Sequence, residues 1–176
     1  MNNYISSEFC IGVKYLKSKD KTFNKIENSL DQVSYAPRSF DYTAFCKIVI
    51  SQQLSSKAAI TIFNRFLTTI EISKITPKKV LELESIQFLE VGISKNKMRY
   101  LKNFANLILE NPFYFDQLKE ASSDNAYKSL VEIDGVGPWT ANIIQLFYLG
   151  NLDIFPIGDA SLEKVYSRLY LTELTA

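Results

Sequence analysis

The sequence contains no histidine and only two cysteines, and these absences narrow the chemistry that it can perform. The lack of histidine excludes histidine-based zinc sites, serine–histidine triads and imidazole general bases. Cys10 and Cys46 lie far apart and cannot form a disulfide framework or a four-cysteine metal cluster. We therefore expect reduced thiols and a cytosolic setting.

The net charge is small, and long apolar runs are missing from the sequence. The formal net charge is only +1, so any nucleic-acid partner must be held by a local arrangement rather than by a globally basic surface. We find no apolar run long enough to span a bilayer and no signal peptide at the start. These features predict a globular protein with no membrane partner.

What the sequence does contain is a helical pattern of apolar residues along most of its length. Residues at three-and-four spacing mark helices at Ala44–Gln52, Ala59–Leu67 and Asn96–Ile108. Thr76 and Pro77 are typical of a helix start, as cap and first-turn residue. Residues 47–50 alone could form a strand, but their neighbours fit a helix better. The pattern predicts an all-α fold of about eight helices in a single domain.

The most informative segment is Leu130–Ala141, which reads LVEIDGVGPWTA. Gly135 can adopt a left-handed conformation after the first helix, Gly137 allows close backbone approach, and Pro138 suits the first position of the next helix. Two helices joined so tightly leave backbone N–H groups pointing outward, which favours an anion such as a DNA phosphate. The alternative interpretation is a plain helical hairpin with a glycine turn.

The hairpin, followed by Asp153–Asp159 (DIFPIGD), resembles the helix-hairpin-helix and glycine/proline-rich loop with aspartate of DNA glycosylases, and most of all the 3-methyladenine DNA glycosylase II branch. Three other segments are similar to that family, namely Val13–Leu16, Phe45–Ala59 and Gly92–Leu101. The resemblance implies short helices in two lobes with the active-site cleft between them. It divides the single domain 1–176 into an N-terminal part (10–40), a central lobe (41–125) and a hairpin with catalytic helix (126–176) that is short at its C-terminal end.

The resemblance assigns the catalytic carboxylate to Asp159. Breaking an N-glycosidic bond develops positive charge on the sugar, and a carboxylate can stabilise that charge and activate water. A base alkylated on a ring nitrogen is cationic and leaves as a neutral molecule, so no general acid is needed. The alternative role for Asp159 is a helix N-cap. Asp153 is the rival carboxylate, with a solvated or structural role as the expectation.

The resemblance also implies roles for Trp139 and Gln53. Bifunctional relatives carry a Schiff-base lysine at the position of Trp139, so we expect no lyase activity. Trp139 would instead line an aromatic pocket for the cationic base, and its alternative is a core tryptophan. Gln53 would fill the gap left by a flipped nucleotide, and its alternative is a turn or cap. With no cysteine cluster, neither iron–sulfur nor zinc is expected.

DNA contacts are expected from the hairpin and from one basic cluster. Gly135, Gly137 and Thr140 would bind phosphate, as would Lys95 and Lys97, although charged runs are often solvated faces. The family further implies a Na⁺ or K⁺ ion in the hairpin. It would be held by the backbone carbonyls of Val131, Ile133 and Val136.

Together these features predict a monomeric, monofunctional glycosylase of base-excision repair that removes bases of the 3-methyladenine and 7-methylguanine type from double-stranded DNA. Its compartment would be the cytoplasm, at the nucleoid, or the nucleus. Three alternatives stay open at this stage. They are a non-catalytic DNA-binding module, an all-α interaction scaffold, and a glycosylase for oxidised or mismatched bases.

Overall fold

The computed structural model describes residues 7–26, 35–70 and 75–170, and within these ranges every regular element is helical. Ten α-helices follow in chain order: α1 (Ser7–Lys19), α2 (Tyr42–Ser51), α3 (Ser56–Thr69), α4 (Pro77–Glu82), α5 (Ser85–Val91), α6 (Lys95–Glu110), α7 (Tyr114–Glu120), α8 (Ser123–Val131), α9 (Pro138–Ile144) and α10 (Ala160–Tyr170). A 3₁₀ helix covers Lys21–Ile26, and a π-helix, Gln145–Leu149, continues α9. The all-α prediction is confirmed.

The helices begin where the sequence supplies capping side chains. Asp41 accepts a hydrogen bond from the Ala44 N–H at the start of α2, and Ser55, Thr76, Ser94 and Ser122 cap later helices in the same way. The predicted start at Thr76 and Pro77 is therefore confirmed. Residues 47–50, which could have formed a strand, lie inside α2. About eight helices were expected and ten are described, because helices of seven residues such as α5 and α7 are too short to display a period.

One contiguous apolar core connects the helices from Phe40 to Ile144. Its centre is Phe104 of α6, whose ring lies 3.8 Å from that of Phe45 in α2, measured between centroids. Helix α2 packs against α3 and α6, and α4 packs along α6, so these helices form one lobe. Helices α7, α8 and α9 form the other and enter the same core through Leu130, Ala141 and Ile144.

Helix α10 stands apart from this core, because none of its side chains is buried. At its C-terminal end the Tyr170 hydroxyl donates a hydrogen bond to the Asp20 carboxylate, and this bond raises the pKa of Tyr170 to about 12. Within the ranges described, no helix is long and apolar enough to cross a membrane.

The turn between α8 and α9, which we call the hairpin turn (Asp134–Gly137), is docked on one face of α6. Gly135 has a φ of +88° and lies directly against the ring of Tyr100. Beside it, the Asp134 carboxylate accepts hydrogen bonds from Arg99 Nε and Asn103 Nδ2, each at 3.0 Å. The predicted left-handed glycine is therefore confirmed. The close approach to α6 explains why no side chain fits at that position.

A matched pair of glycine substitutions tests this docking. A Cβ at Gly135 would lie 2.3 Å from the Tyr100 ring, whereas one at Gly137 would meet nothing within 4 Å. Gly135→Ala combines this clash with a left-handed backbone and should lower the free energy of unfolding by about 2 kcal/mol or more. Gly137→Ala should cost about 1 kcal/mol or less. Urea denaturation of both variants measures the difference, and equal losses would contradict the proposed contact.

Candidate active site

The hairpin turn forms one wall of a cleft of about 730 Å³ between the two lobes. The turn after α2 and the start of α6 form the opposite wall. The cleft therefore lies where residues from three separate parts of the sequence meet, at Gln52 and Gln53, at Ser94–Tyr100, and at Val131–Thr140. This position agrees with the predicted cleft between two lobes.

Asp159 is connected to this cleft by a hydrogen bond from Trp139, which lines it. The carboxylate is half-buried at the start of α10, where Oδ1 accepts hydrogen bonds from the N–H groups of Ser161 and Leu162 at 3.0 and 2.9 Å. The other oxygen, Oδ2, accepts the indole N–H of Trp139 at 3.1 Å. Asp159 thus occupies an N-cap position and also faces a residue of the cleft. Both roles weighed for it are compatible with one geometry.

Trp139 is not a core residue. It is the second residue of α9, it lines the cleft, and 40% of its surface is exposed. The core interpretation is therefore wrong, because the buried face of α9 belongs to Thr140, Ala141 and Ile144. Asp153, the rival carboxylate, is exposed, and its backbone N–H is bound to Asn151 Oδ1 at 3.2 Å. Neither Asp153 nor Asp159 is among the residues that line the cleft, but it is Asp159 that accepts the hydrogen bond from Trp139, which does line it.

The three hairpin residues expected to contact DNA differ in exposure. Gly137 is exposed and caps α9, whereas the side chain of Thr140 is buried. The Thr140 hydroxyl accepts a hydrogen bond from Gln52 Nε2 at 3.3 Å, and the Gly135 carbonyl accepts one at 2.9 Å. A phosphate at this helix start would therefore meet amide N–H groups. That role of the three predicted residues stays a prediction.

Most of the basic residues at the start of α6 are bound within the protein. Lys97 Nζ donates to the carbonyls of Ile50 and Gln52, at 2.7 Å each, and partial burial lowers the pKa of this lysine. Arg99 pairs with Asp134. Lys95 is exposed. Phosphate contact by Lys95 and Lys97 stays a prediction, and for Lys97 it would compete with the two carbonyls.

Gln53 is the one non-glycine residue with a positive φ, at 57°, among the residues that the structure describes. A left-handed backbone costs an ordinary residue about 1–2 kcal/mol. The side chain is exposed at the edge of the cleft, next to Leu54, which is 37% exposed. Gln53 directly follows the C-cap of α2, a position where helices commonly end in a left-handed residue, so the turn alternative is supported and the gap-filling role of its exposed side chain stays a prediction.

Sequence patterns did not reveal the inward roles of Gln52, Tyr100 and Lys97. All three line the cleft. Gln52 and Tyr100 contact the hairpin turn, and Lys97 supports the turn after α2. Their partners are distant in the chain, so local spacing carries no trace of the contacts. Only the pair of adjacent glutamines hinted that this turn is unusual.

The chain belongs to the HhH-GPD superfamily of base-excision DNA repair proteins, whose family model matches residues 46–175. Among curated relatives, an alkylbase DNA glycosidase-like protein of Schizosaccharomyces pombe, mag2, is 27% identical over 163 residues, covering 90% of this chain and 76% of its own length. A Bacillus subtilis protein named putative DNA-3-methyladenine glycosylase YfjP is 27% identical over 133 residues. That match covers 72% of this chain but only 46% of the relative.

Two solved structures at 25% identity share the fold. A DNA-3-methyladenine glycosidase from Bacillus halodurans superposes with a TM-score of 0.74, covering 88% of this chain and 71% of its own. The S. pombe 3-methyladenine DNA glycosylase Mag1, solved with abasic DNA, gives a TM-score of 0.76. The match covers 93% of this chain and 82% of the Mag1 chain. The helix-hairpin-helix glycosylase fold is therefore confirmed.

The strain at Gln53 predicts an unusual order of stabilities for two variants. Both Gln53→Gly and Gln53→Ala remove the side chain, but only glycine adopts a left-handed backbone without steric cost. The glycine variant should therefore be the more stable of the two by about 1 kcal/mol, the reverse of the order in helices. Urea denaturation of the pair measures this. An alanine variant that is the more stable would show that the turn carries no strain.

Proposed function

We propose that the protein is a monofunctional DNA glycosylase of base-excision repair that hydrolyses the N-glycosidic bond of alkylated bases. The observation that carries this proposal is the hydrogen bond between Asp159 and Trp139, which places a carboxylate beside the cleft that the hairpin turn lines. The names of the relatives from S. pombe and the bacilli support alkylated bases such as 3-methyladenine as the class of substrate, and we extend that class to bases of the 7-methylguanine type.

The hairpin turn would hold the DNA backbone. The start of α9 presents amide N–H groups near Gly137, and its helix dipole favours an anion there. Lys95 lies exposed at the start of α6 and would add charge. The damaged nucleotide would swing out of the duplex into the cleft, and Gln53 would take its place in the stack. Double-stranded DNA is therefore the proposed partner.

Asp159 would act on the sugar. As the bond between C1′ and the base nitrogen breaks, its electron pair leaves with the base and neutralises the positive charge of the alkylated ring. The sugar becomes cationic, and the Asp159 carboxylate stabilises it. A water molecule then adds to C1′ and gives up its proton, for which the carboxylate is the acceptor. Because the alkylated base leaves as a neutral molecule, no group of the protein needs to donate a proton to it.

Trp139 would serve the reaction in two ways. Its indole N–H holds Asp159 Oδ2, and its exposed ring offers a face on which a cationic base can stack. Because tryptophan cannot form a Schiff base, the protein would leave the DNA strand uncut.

A Na⁺ or K⁺ ion would fit the hairpin. Val131, Ile133 and Val136 all line the cleft, and their backbone carbonyls are the hard oxygen ligands that such ions prefer. The Ile133 carbonyl already accepts the Val136 N–H at 2.9 Å, which leaves its second lone pair for a cation. The ion would add positive charge beside the DNA phosphate.

The decisive test is base release from methylated duplex DNA. Asp159→Asn keeps the size of the side chain but removes its charge, and should slow the release of 3-methyladenine by about 10²-fold or more. Asp153→Asn is the matched control, because that carboxylate lies in the same loop but the indole of Trp139 bonds to Asp159 instead, and the variant should react like the wild type. Chromatography of the freed bases measures the rates. A wild type that releases no base, or an Asp159→Asn variant as fast as the wild type, would contradict the proposal.

The hydrogen bond from Trp139 has its own test. Trp139→Phe keeps an aromatic ring but loses the N–H that holds Asp159. A hydrogen bond to a charged group contributes about 1.5–3 kcal/mol, so single-turnover base release should fall about tenfold or more. Affinity for undamaged duplex, measured by fluorescence anisotropy, should not change. Unaltered release by this variant would show that the indole does not position the carboxylate.

A further inference from the structure

The turn after α2 is supported by a lysine from another helix. Helix α2 ends at Ser51, and carbonyls at a helix C-terminus lack intrahelical partners. Lys97 of α6 supplies the partner, because its ammonium group binds the carbonyls of Ile50 and Gln52 at 2.7 Å each. A cation is also favoured at this end of the helix dipole. The ammonium group therefore ties the end of α2 to the start of α6.

The side chain of Gln52 continues this connection to the hairpin turn. Its Nε2 donates to the Gly135 carbonyl at 2.9 Å and lies 3.3 Å from the Thr140 hydroxyl. Gly135 lies in the turn before α9, and Thr140 is in the first turn of α9 itself. Gln52 is thus bound through its backbone to α6 and through its side chain to both parts of the hairpin. We call Lys97 and Gln52 the brace.

Gln53 immediately follows the brace. Its left-handed backbone would relax if the turn were free to move, but the carbonyl just before it is fixed by Lys97. The Gln53 side chain stays exposed at the edge of the cleft that the hairpin lines. The two elements proposed to contact DNA, namely Gln53 and the hairpin turn, are therefore held at a constant separation by two side chains.

We propose that Lys97 and Gln52 are positioning residues that enable the protein to distinguish a duplex with a vacated base position from an intact duplex. The inference rests on the proposed function, since it assumes that Gln53 enters the gap left by a flipped nucleotide. The hairpin turn would bind phosphate in either duplex, whereas only a correctly placed Gln53 gains contacts in the gapped one. Loss of the brace should therefore weaken binding of the gapped duplex more than binding of the intact one, and so reduce selectivity.

Lys97→Met tests the brace, because methionine retains most of the side-chain bulk but cannot donate to the two carbonyls. Two duplexes of the same sequence serve as probes, one intact and one with a tetrahydrofuran abasic site. The dissociation constant for the intact duplex, divided by that for the abasic duplex, should fall about tenfold, because the abasic complex loses more affinity than the intact one. A phosphate-binding Lys97 would weaken both complexes alike and lower the salt slope by about 1. That outcome would overturn the proposal.

Lys102→Met is the matched control. Lys102 also lies on α6, and its ammonium group also binds a backbone carbonyl, that of Leu83 at 2.8 Å. Neither Lys102 nor Leu83 is among the residues that line the cleft. The control should lose stability but keep the selectivity ratio, so an equal loss of selectivity in both variants would contradict the brace.

A double-mutant cycle shows whether the brace acts through Gln53. Gln53→Ala alone should lower selectivity, and adding Lys97→Met should then cause little further loss, because the side chain that the brace positions is already gone. Additive losses would refute the coupling. Gln52→Met offers an independent route if Lys97→Met fails to fold, since it keeps the carbonyl for Lys97 but removes the bonds to the hairpin. It should lower selectivity in the same way.

The wild type separates failure of the brace from failure of the proposed function. A wild type that releases methylated bases and prefers the abasic duplex, together with brace variants that retain this preference, would reject the brace alone. A wild type that neither releases bases nor prefers the abasic duplex would reject both proposals.

Discussion

The docking of the hairpin turn on α6 is the constraint on which the site depends. Gly135 lies against the Tyr100 ring so closely that a Cβ would be only 2.3 Å away, and Asp134 is bound to Arg99 and Asn103 on the same helix. This contact sets the position of α9, and therefore of Trp139 and of the carboxylate that Trp139 holds. The wall of the cleft and the placement of Asp159 thus follow from one close-packed contact.

A nearly neutral protein can present the surface that we propose binds DNA, because backbone dipoles can act there in place of side-chain charge. Lys97 donates to two backbone carbonyls and Arg99 pairs with the Asp134 carboxylate, so both cations make contacts within the protein that organise the cleft. Gly137, at the start of α9, is exposed and carries no side chain to cover its backbone. A turn that presents amide N–H groups at the start of a helix can bind an anion regardless of net charge.

The local features of the site could be predicted because each depends on neighbouring residues in the chain. The left-handed Gly135, the start of α9 at Pro138 and the N-cap role of Asp159 all follow from residue types at adjacent positions. The role of Trp139 as a core residue or a cleft residue could not be decided in this way. Its exposure depends on which face of α9 packs inward, and that face is chosen by Thr140, Ala141 and Ile144.

The sequence by itself determined the helices, their caps and the glycine turn, because these rest on steric preferences and hydrogen bonds within a few residues. Its motifs also carried the family resemblance. Only the tertiary structure decided which distant residues these elements contact. The contacts of Lys97 with Ile50 and of Gln52 with Gly135 join residues 47 and 83 positions apart. No periodicity records such pairs, since their geometry exists only once the core has brought α2, α6 and the hairpin together.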